Sequence, residues 1–241
     1  MLITYQSQLL EKTVIAPDVL LLKFEKPPQP DWDYKAGQYM ILHVPTGEAN
    51  HPARRLYSIA SSPTEDSTLN FIIELVPNGI GSTYIKNLEV GAKATLQGPA
   101  GLFTYSHTGR DVIMLATGTG IAPMYGILRT VLAEERDIQF KLLWGMKQKK
   151  DLYLLNEFAE LAKTYSNFSF TICLSREESV DHPSCMLGRV TTALDQMKKD
   201  GSAIQDAHFY LCGGKNVVEA LREDLSARGI GTTQIHFERF T

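Results

Sequence analysis

The pattern of hydrophobic residues along the chain changes once, close to Tyr105, and this change constrains the fold more than any other feature. Before it, short β-type runs are separated by turn sequences such as Ser61-Ser62-Pro63 and Pro77-Asn78-Gly79. After it, apolar runs alternate with amphipathic helical segments, a pattern typical of a parallel α/β sheet. The sequence therefore predicts two domains, over residues 1–105 and 106–241.

The first domain is predicted to be an antiparallel six-stranded β-barrel, and the second an α/β domain with a five-stranded parallel sheet. The predicted barrel strands are residues 8–13, 19–24, 39–44, 55–59, 68–75 and 93–98, with a short helix over 83–88. The predicted parallel strands are residues 111–116, 138–144, 168–174, 208–212 and 233–237.

Composition excludes some classes of function. With 44% hydrophobic residues and a formal net charge of −3, the chain offers no broad basic field that would attract nucleic acid. No run approaches the roughly 18 apolar residues of a membrane span, and the first residues lack the features of a signal peptide. We therefore expect a cytoplasmic protein that binds neither nucleic acid nor membrane.

The three cysteines, Cys173, Cys185 and Cys212, are widely spaced and contain no C-x-x-C pair. This spacing predicts neither a disulfide framework nor a zinc or iron-sulfur site. No metal site is predicted, so any redox cofactor would be organic.

A glycine-rich turn follows the first strand of the second domain and opens a helix: Ala116-Thr117-Gly118-Thr119-Gly120-Ile121-Ala122-Pro123. Glycines let backbone N–H groups approach a pyrophosphate, and the helix dipole favours negative charge at that end. The turn predicts a phosphate-binding site. It is neither G-x-G-x-x-G nor a P-loop, and a turn without a ligand is the alternative.

Two segments of the first domain could serve a second phosphate group. Arg55-Leu56-Tyr57-Ser58 offers a guanidinium fork, an aromatic face and a hydroxyl on one strand. Gly79-Ile80-Gly81-Ser82-Thr83 offers amides and hydroxyls at the start of the short helix. Ordinary strand alternation and a plain N-capped turn are the respective alternatives.

In this order and spacing, the three segments resemble the ferredoxin-NADP(H) reductase family, in which a flavin-binding barrel precedes a nicotinamide-nucleotide domain. Three further segments support the resemblance: Gly98-Pro99-Ala100-Gly101, Cys212-Gly213-Gly214 and Glu238-Arg239-Phe240. The resemblance covers nearly the whole chain. It implies that the first domain binds FAD and the second NADP, with NAD as an alternative.

The resemblance also implies roles for residues of the first domain. Arg55 would face the FAD pyrophosphate, Tyr57 would pack on the isoalloxazine, and the Ser58 hydroxyl would lie near flavin N5. The rest of the FAD cradle would be supplied by Leu56, by the main chain of Ile72, Ile73 and Glu74, and by Ile80, Gly81, Ser82 and Thr83.

In the second domain, the turn residues Thr117, Gly118, Thr119, Gly120 and Ile121 would hold the dinucleotide pyrophosphate, and Pro123 would shape the helix start. Cys212, followed by Gly213, and Glu238 match the thiol and carboxylate beside the nicotinamide. With Ser58 they would be the catalytic set around the hydride path. A buried small hydrophobe and a solvated acid are the alternatives for Cys212 and Glu238.

Phe240 corresponds to an aromatic residue that stacks on the flavin in many relatives. Here Thr241 follows it, and phenylalanine replaces the tyrosine common in plant-type members. Whether this end gates the flavin, or is a hydrophobic strap on the fold, is left open by the sequence.

Ser175-Arg176, after the third parallel strand, matches the pair that grips the 2′-phosphate in NADP-using relatives. At the end of the second strand stands Trp144-Gly145-Met146-Lys147, which lacks the acid typical of NAD readers. These features favour NADPH over NADH, although some NAD-using relatives carry a similar arginine.

The resemblance thus implies an FAD-dependent NAD(P)H reductase that passes electrons to ferredoxin, flavodoxin or an oxygenase component, and we expect a monomer. Two alternatives stay open. One is a free-flavin reductase, and the other is a non-catalytic electron-relay subunit of a larger complex.

Overall fold

The computed structural model describes residues 2–27, 32–47, 51–202 and 204–240 of the 241-residue chain. The chain forms two compact units. The first comprises Met1–Tyr105 and Tyr125–Thr130, and the second Ser106–Met124 and Val131–Thr241.

The first unit contains an antiparallel six-stranded sheet, as the sequence predicts. Its strands are β1 (Ile3–Ala16), β2 (Val19–Glu25), β3 (Tyr39–Val44), β4 (Ala53–Ser58), β5 (Thr68–Glu74) and β6 (Lys93–Ala100), and helix α1 (Ile80–Asn87) lies between β5 and β6 in sequence. The strand order is β4-β3-β6-β1-β2-β5. The two ends of this order meet where Ile59 bridges Phe71, so the sheet curls into a barrel.

Alternating side chains build the core of the barrel. On β3, Met40, Leu42 and Val44 are buried while the residues between them are only partly so. On β2, Leu22 and Phe24 point into the same core. Each side chain of this size removed from water contributes about 1.5–3 kcal/mol. This period of two is the pattern that predicted the strands.

Strand β1 is longer than its predicted range because it pairs with two partners in turn. Its first part pairs with β6 over residues 3–8, and its second part pairs with β2 from Leu9 to Ala16. Asp18, in the tight turn to β2, adopts a left-handed φ of 59°, which aspartate tolerates better than most residues.

The second unit contains a parallel sheet with the order β10-β9-β8-β7-β11-β12. Its strands are β7 (Val112–Thr117), β8 (Phe140–Met146), β9 (Phe168–Leu174), β10 (Cys185–Leu187), β11 (His208–Gly214) and β12 (Ile235–Phe240). The α-helices of this half of the chain are α2 (Ile121–Val131), α3 (Leu155–Thr164), α4 (Val190–Lys199) and α5 (Lys215–Ala227). The predicted fold class is confirmed.

The structure adds a sixth strand, β10, to the five that the sequence predicts for this sheet. Strand β10 is three residues long and pairs with β9 through Cys185 and Ile172, Met186 and Cys173, and Leu187 and Leu174. A strand this short has no measurable hydrophobic period, so sequence pattern does not reveal it.

The order of the parallel strands marks where a ligand can bind. The chain runs from β7 outward to β8, β9 and β10, and then returns to the other side of β7 to form β11 and β12. The connections after β7 and β11 therefore diverge at the carboxyl end of the sheet. In open α/β sheets, ligands bind in the crevice at this switch point.

Among the residues described, no helix is both long and apolar enough to cross a lipid bilayer.

Candidate functional site

In the first unit, the side chains of Arg55 and Tyr57 on β4 lie against the first turn of α1. A Cβ atom placed on Gly81 would be 2.8 Å from Tyr57 Oη and 2.9 Å from Arg55 Cγ, so a larger residue here would displace one of these side chains. The structure thus brings together two segments that the sequence singles out separately. Leu56, between the two side chains, is 57% exposed.

The first turn of α1 is suited to an anion. No side chain of the N-cap residue, Gly79, bonds the first amides of the helix, and the first turn contains no acidic residue. The first amides of an α-helix have no carbonyl partner within the helix, and the helix dipole adds positive potential there. The neighbouring Arg55 is exposed and uses one N–H to bond the Arg54 carbonyl at 2.9 Å. A guanidinium has five N–H donors, so this bond does not exhaust them.

Ser82 has a structural role as well as its predicted one. Its Oγ accepts a hydrogen bond from the Val76 N–H at 2.8 Å, which closes the turn before α1. A hydroxyl that accepts in this way keeps its own proton to donate. Ile80 and Thr83 are exposed in the same turn.

Tyr57 and Ser58 are the last two residues of the barrel strand β4. Burial raises the pKa of the Tyr57 phenol, and the charge of Arg55 opposes the shift in part. Tyr57 is therefore a neutral, half-buried ring at physiological pH. Ser58 is 7% exposed and lies opposite Tyr39 in the β3–β4 register.

The main chain of Ile72, Ile73 and Glu74 lies along an edge of the barrel sheet. These residues pair with β2 on one side, and within the described ranges the bridge on the other side involves Phe71. Both isoleucine side chains are buried, whereas Glu74 is exposed. An edge of this kind offers backbone N–H and C=O groups to a planar heteroaromatic ring.

In the second unit, the glycine-rich turn lies at the switch point of the sheet. Strand β7 ends at Thr117, residues Gly118–Gly120 form one 3-10 turn, and α2 begins at Ile121. Thr119 is half-buried within this turn. Pro123 lies in the first turn of α2, where its missing N–H costs no helical hydrogen bond. Neither the 3-10 turn nor the first turn of α2 contains an acidic residue.

Two glycines let this turn approach the end of β11. A Cβ atom on Gly120 would lie 2.3 Å from the Cys212 carbonyl oxygen. A Cβ atom on Gly213 would lie 2.2 Å from Thr117 Oγ1. The predicted phosphate turn and the predicted Cys-Gly segment are therefore neighbours, although they are far apart in sequence.

Cys212 and Glu238 are neighbours as well, because they are paired in the register of β11 and β12. Cys212 is 1% exposed. Burial, and after it the charge of Glu238, raise the pKa of the Cys212 thiol well above its ordinary value. At neutral pH this residue is a neutral thiol and not a thiolate. Phe240, half-buried, pairs with Gly214 further along the same strands, and Thr241 lies outside the described residues.

Ser175 and Arg176 follow β9 and are held beside the residues that follow β8. The Ser175 N–H donates to the Met146 carbonyl at 3.0 Å, and the Arg176 N–H donates to the Lys147 carbonyl at 2.9 Å. The side chains of Arg176 and Lys147 are both exposed. Two cations are therefore adjacent at the carboxyl edge of the sheet, where the 2′-phosphate site was predicted.

One residue at this edge received no role from the sequence. The indole N–H of the fully buried Trp144, on β8, donates to the Gly118 carbonyl at 3.0 Å. The signal in the sequence was a tryptophan within a predicted buried strand, since a buried indole N–H needs an acceptor.

The chemistry of these donor sets suits the implied cofactors. Each unit presents a helix start without acidic residues, and a glycine there lies in close contact with a neighbouring segment of the same unit. The first unit adds a guanidinium and a neutral aromatic ring, Arg55 and Tyr57, and the second adds the two cations Arg176 and Lys147. These are the groups that pyrophosphate, a flavin ring and a ribose phosphate require.

Comparison with known families supports the same assignment. Residues 6–105 match the oxidoreductase FAD-binding domain, and residues 114–223 match the oxidoreductase NAD-binding domain. The predicted FAD and nicotinamide-dinucleotide cofactors are thereby confirmed.

Two curated relatives are named as components of oxygenases. The chain is 30% identical over 228 residues to the reductase component of propane 2-monooxygenase from Mycolicibacterium goodii, covering 93% of this chain and 64% of the relative. It is 33% identical over 214 residues to the electron transfer component of 2-halobenzoate 1,2-dioxygenase from Burkholderia cepacia, covering 86% of this chain and 59% of that protein. The chain thus spans about three-fifths of the length of these relatives.

Solved structures share the fold. A cytochrome P450 reductase from Amycolatopsis superposes with a TM-score of 0.87 at 31% identity, covering 100% of this chain and 70% of that one. A ferredoxin NADP⁺ reductase from Neisseria gonorrhoeae, with bound FAD and NADP, gives a TM-score of 0.83 at 21% identity and covers 98% of each chain. The second likeness shows the fold alone.

Proposed function

We propose, since the chain belongs to the ferredoxin-NADP(H) reductase family of FAD- and NAD-binding oxidoreductases, that it takes a hydride from NADPH and passes electrons to an oxygenase component. The observation that carries the proposal is the pair of phosphate-suited helix starts, one in each unit. The start of α1 is packed on Arg55 and Tyr57, and the turn before α2 is packed on Cys212 and Gly213.

The relatives favour the class of acceptor. The propane 2-monooxygenase and 2-halobenzoate 1,2-dioxygenase proteins are named as reductase or electron transfer components of oxygenases. This supports an oxygenase component as the electron acceptor over free ferredoxin or flavodoxin.

In the first unit we assign Arg55 and the start of α1 to binding the FAD pyrophosphate. Tyr57 packs against the isoalloxazine, and the Ser58 hydroxyl lines the path to N5. Leu56, Gly81 and the edge of β5 complete the cradle. Bound FAD supplies the hydride-accepting and electron-releasing chemistry that the side chains of the chain lack.

In the second unit we assign the turn Thr117–Ile121 to the dinucleotide pyrophosphate. The neutral thiol of Cys212 and the carboxylate of Glu238 orient the nicotinamide. Their contribution is positional, because hydride transfer depends on holding donor and acceptor atoms in a near-attack geometry. A thiol that stays protonated adds no second negative charge beside Glu238.

We assign the adjacent cations Arg176 and Lys147 to the 2′-phosphate of NADPH. A doubly charged phosphate gains more from two cations than the ribose hydroxyl of NADH does. This difference supports NADPH as the preferred donor.

The experiment is the visible absorption spectrum of the purified protein, recorded before and after anaerobic addition of NADPH and, separately, NADH. We expect bands of oxidised flavin that bleach faster with NADPH. A colourless protein that reduces added flavin would instead indicate a free-flavin reductase. A coloured protein that neither nucleotide reduces would indicate a relay subunit.

A matched pair of variants tests the FAD assignment in the same measurement. Arg55→Gln removes the guanidinium but keeps carbon atoms in the part of the side chain that packs on Gly81, and we expect the purified variant to lose flavin. Arg54→Gln changes the exposed neighbouring arginine on β4, and we expect it to keep its colour. Equal flavin content in both variants would refute the role of Arg55.

A further inference from the structure

Trp144 is a large side chain placed directly beneath the phosphate turn. It is 0% exposed on the central strand β8. Its ring makes edge contacts with Tyr153 and Phe158, at centroid distances of 4.9 and 5.9 Å. Its Nε1–H donates to the Gly118 carbonyl at 3.0 Å. The indole therefore packs in an aromatic cluster on one side and bonds the turn on the other.

The Gly118 carbonyl receives two hydrogen bonds. Besides the indole, the Ile121 N–H donates to it and closes the 3-10 turn. A carbonyl oxygen has two lone pairs, so both are used. Gly118 itself adopts a left-handed φ of 51°, a conformation that glycine reaches at little cost. The peptide that joins Gly118 to Thr119 is thus held from below by a rigid, buried ring.

The orientation of the Gly118–Thr119 peptide also determines where the Thr119 N–H points. In a planar trans peptide the C=O and the N–H point in opposite directions. The Gly118 C=O points at the buried indole. The Thr119 N–H must then point away from the sheet, towards the mouth of the turn.

We propose that Trp144 is a positioning residue for the dinucleotide: by fixing the Gly118–Thr119 peptide, it presents the Thr119 N–H to the pyrophosphate. The inference rests on the proposed function, since it assumes that this turn binds a dinucleotide. Trp144 does not touch the ligand. It acts through the main chain, as the donor that prevents this peptide from rotating.

The test is isothermal titration of the wild-type protein and of Trp144→Phe with two ligands. ADP-ribose contains the pyrophosphate, and adenosine 2′-monophosphate does not. Phenylalanine keeps an aromatic ring in the cluster but has no N–H. We expect the dissociation constant of ADP-ribose to rise about five- to tenfold, the loss that corresponds to one hydrogen bond, with that of adenosine 2′-monophosphate unchanged.

Phe158→Leu is the matched control. It disturbs the same aromatic cluster but leaves the indole bond in place. We expect a lower thermal midpoint and ordinary affinity for both ligands. If Trp144→Phe binds ADP-ribose within twofold of wild type, or weakens both ligands by the same factor, the positioning role is overturned. A wild-type protein that binds neither ligand would instead overturn the proposed function, and the positioning role with it.

A second measurement needs no change at Trp144. In a ¹⁵N-labelled Trp32→Phe protein, Trp144 is the only tryptophan, so its indole N–H resonance is assigned at once. ADP-ribose should shift this resonance, because a pyrophosphate bound to the Thr119 N–H polarises the same peptide. Adenosine 2′-monophosphate should leave it in place. An indole resonance that does not respond to saturating ADP-ribose would contradict the proposal.

Discussion

Arg176 combines a fixed backbone with an exposed side chain. Its N–H is bonded to the Lys147 carbonyl, so the guanidinium starts from a defined point while its donors face solvent. Lys149, two residues beyond Lys147, differs because its ammonium is paired with the Asp181 carboxylate. Lys149 is therefore engaged in an ion pair within the protein, whereas the exposed side chain of Arg176 is placed to bind a ligand.

Replacing Arg176 by alanine should separate the two nucleotides. We expect Arg176→Ala to lower kcat/KM for NADPH by a factor that corresponds to about 1.5–3 kcal/mol. The value of kcat/KM for NADH should stay nearly unchanged, because only NADPH carries the 2′-phosphate. Steady-state reduction of an artificial acceptor with each nucleotide measures both values. Lys149→Ala, the control, should not discriminate between them. Equal losses with NADPH and NADH would remove Arg176 from the phosphate site.

For single residues, the sequence predicts where the backbone approaches another segment closely better than it predicts which groups a side chain bonds. The glycines at 118, 120 and 213 could be read as points of close approach, and the structure places 120 and 213 at such contacts. The bond from Trp144 to Gly118 could not be predicted, because it depends on the register of β7 and β8. The contact of Gly81 with Arg55 could not be predicted either, because it depends on the packing of α1 against β4.

Among the elements, helix α1 is held at its C-terminal end by one lysine. Lys12, on β1, donates through Nζ to the carbonyls of Ile85 (2.9 Å), Lys86 (2.7 Å) and Leu88 (3.0 Å). The last carbonyls of a helix lack the i+4 amide, although that of Ile85 also accepts from the Leu88 N–H at 3.3 Å. A cation there also complements the helix dipole. The opposite end of the same helix is the one assigned to FAD.

Lys12→Met should loosen α1, since methionine keeps the apolar stem of lysine but cannot donate. We expect the opening free energy of the α1 amides to fall by about 1–2 kcal/mol, measured by hydrogen exchange with mass spectrometry. Lys23→Met is the control, because its partner Glu11 is exposed and such pairs contribute little. Lys12→Arg should restore part of the protection. Unchanged exchange in Lys12→Met would show that the cap is not needed.

The observed start of helix α1 differs from the predicted one. The sequence predicts a helix from residue 83, whereas α1 begins at Ile80. Gly81 lowers intrinsic helix propensity in that turn. Packing against Arg55 and Tyr57 outweighs this preference, and packing partners from another element are not visible in the local sequence.

Each unit of the molecule has its own hydrophobic core, and the second unit also carries a half-buried histidine pair. At the start of β11 and β12, His208 Nδ1 and His236 Nε2 are 3.0 Å apart, and the Tyr210 ring stacks on His236. Burial, and then the charge of Arg110, lower the pKa of His208. Burial, and then His208, lower the pKa of His236. Folding therefore favours the neutral forms of both rings.

The second unit should for this reason lose stability in mild acid. Below the unfolded pKa of about 6.5, the unfolded chain binds more protons than the folded unit, so the free energy of unfolding falls as the pH falls. Urea unfolding of a Trp32→Phe protein, followed by Trp144 fluorescence, would report the second unit alone. We expect a lower midpoint at pH 5.5 than at pH 7.5.

A double variant, His208→Asn with His236→Asn, removes both titrating groups. Its urea midpoint should depend less on pH over the same interval. If the wild-type and double-variant midpoints change equally between the two pH values, other groups are responsible.

The three cysteines, all buried, determine how the protein can be handled chemically. Burial raises the pKa of the Cys173 thiol to about 12, and it raises the pKa of Cys185 and Cys212 as well. Alkylating reagents and oxidants attack the thiolate, which is scarce at neutral pH in all three. A single cysteine introduced on the surface would therefore react far faster with a maleimide dye than any native thiol. The chain can be labelled at one chosen point without removing its own cysteines.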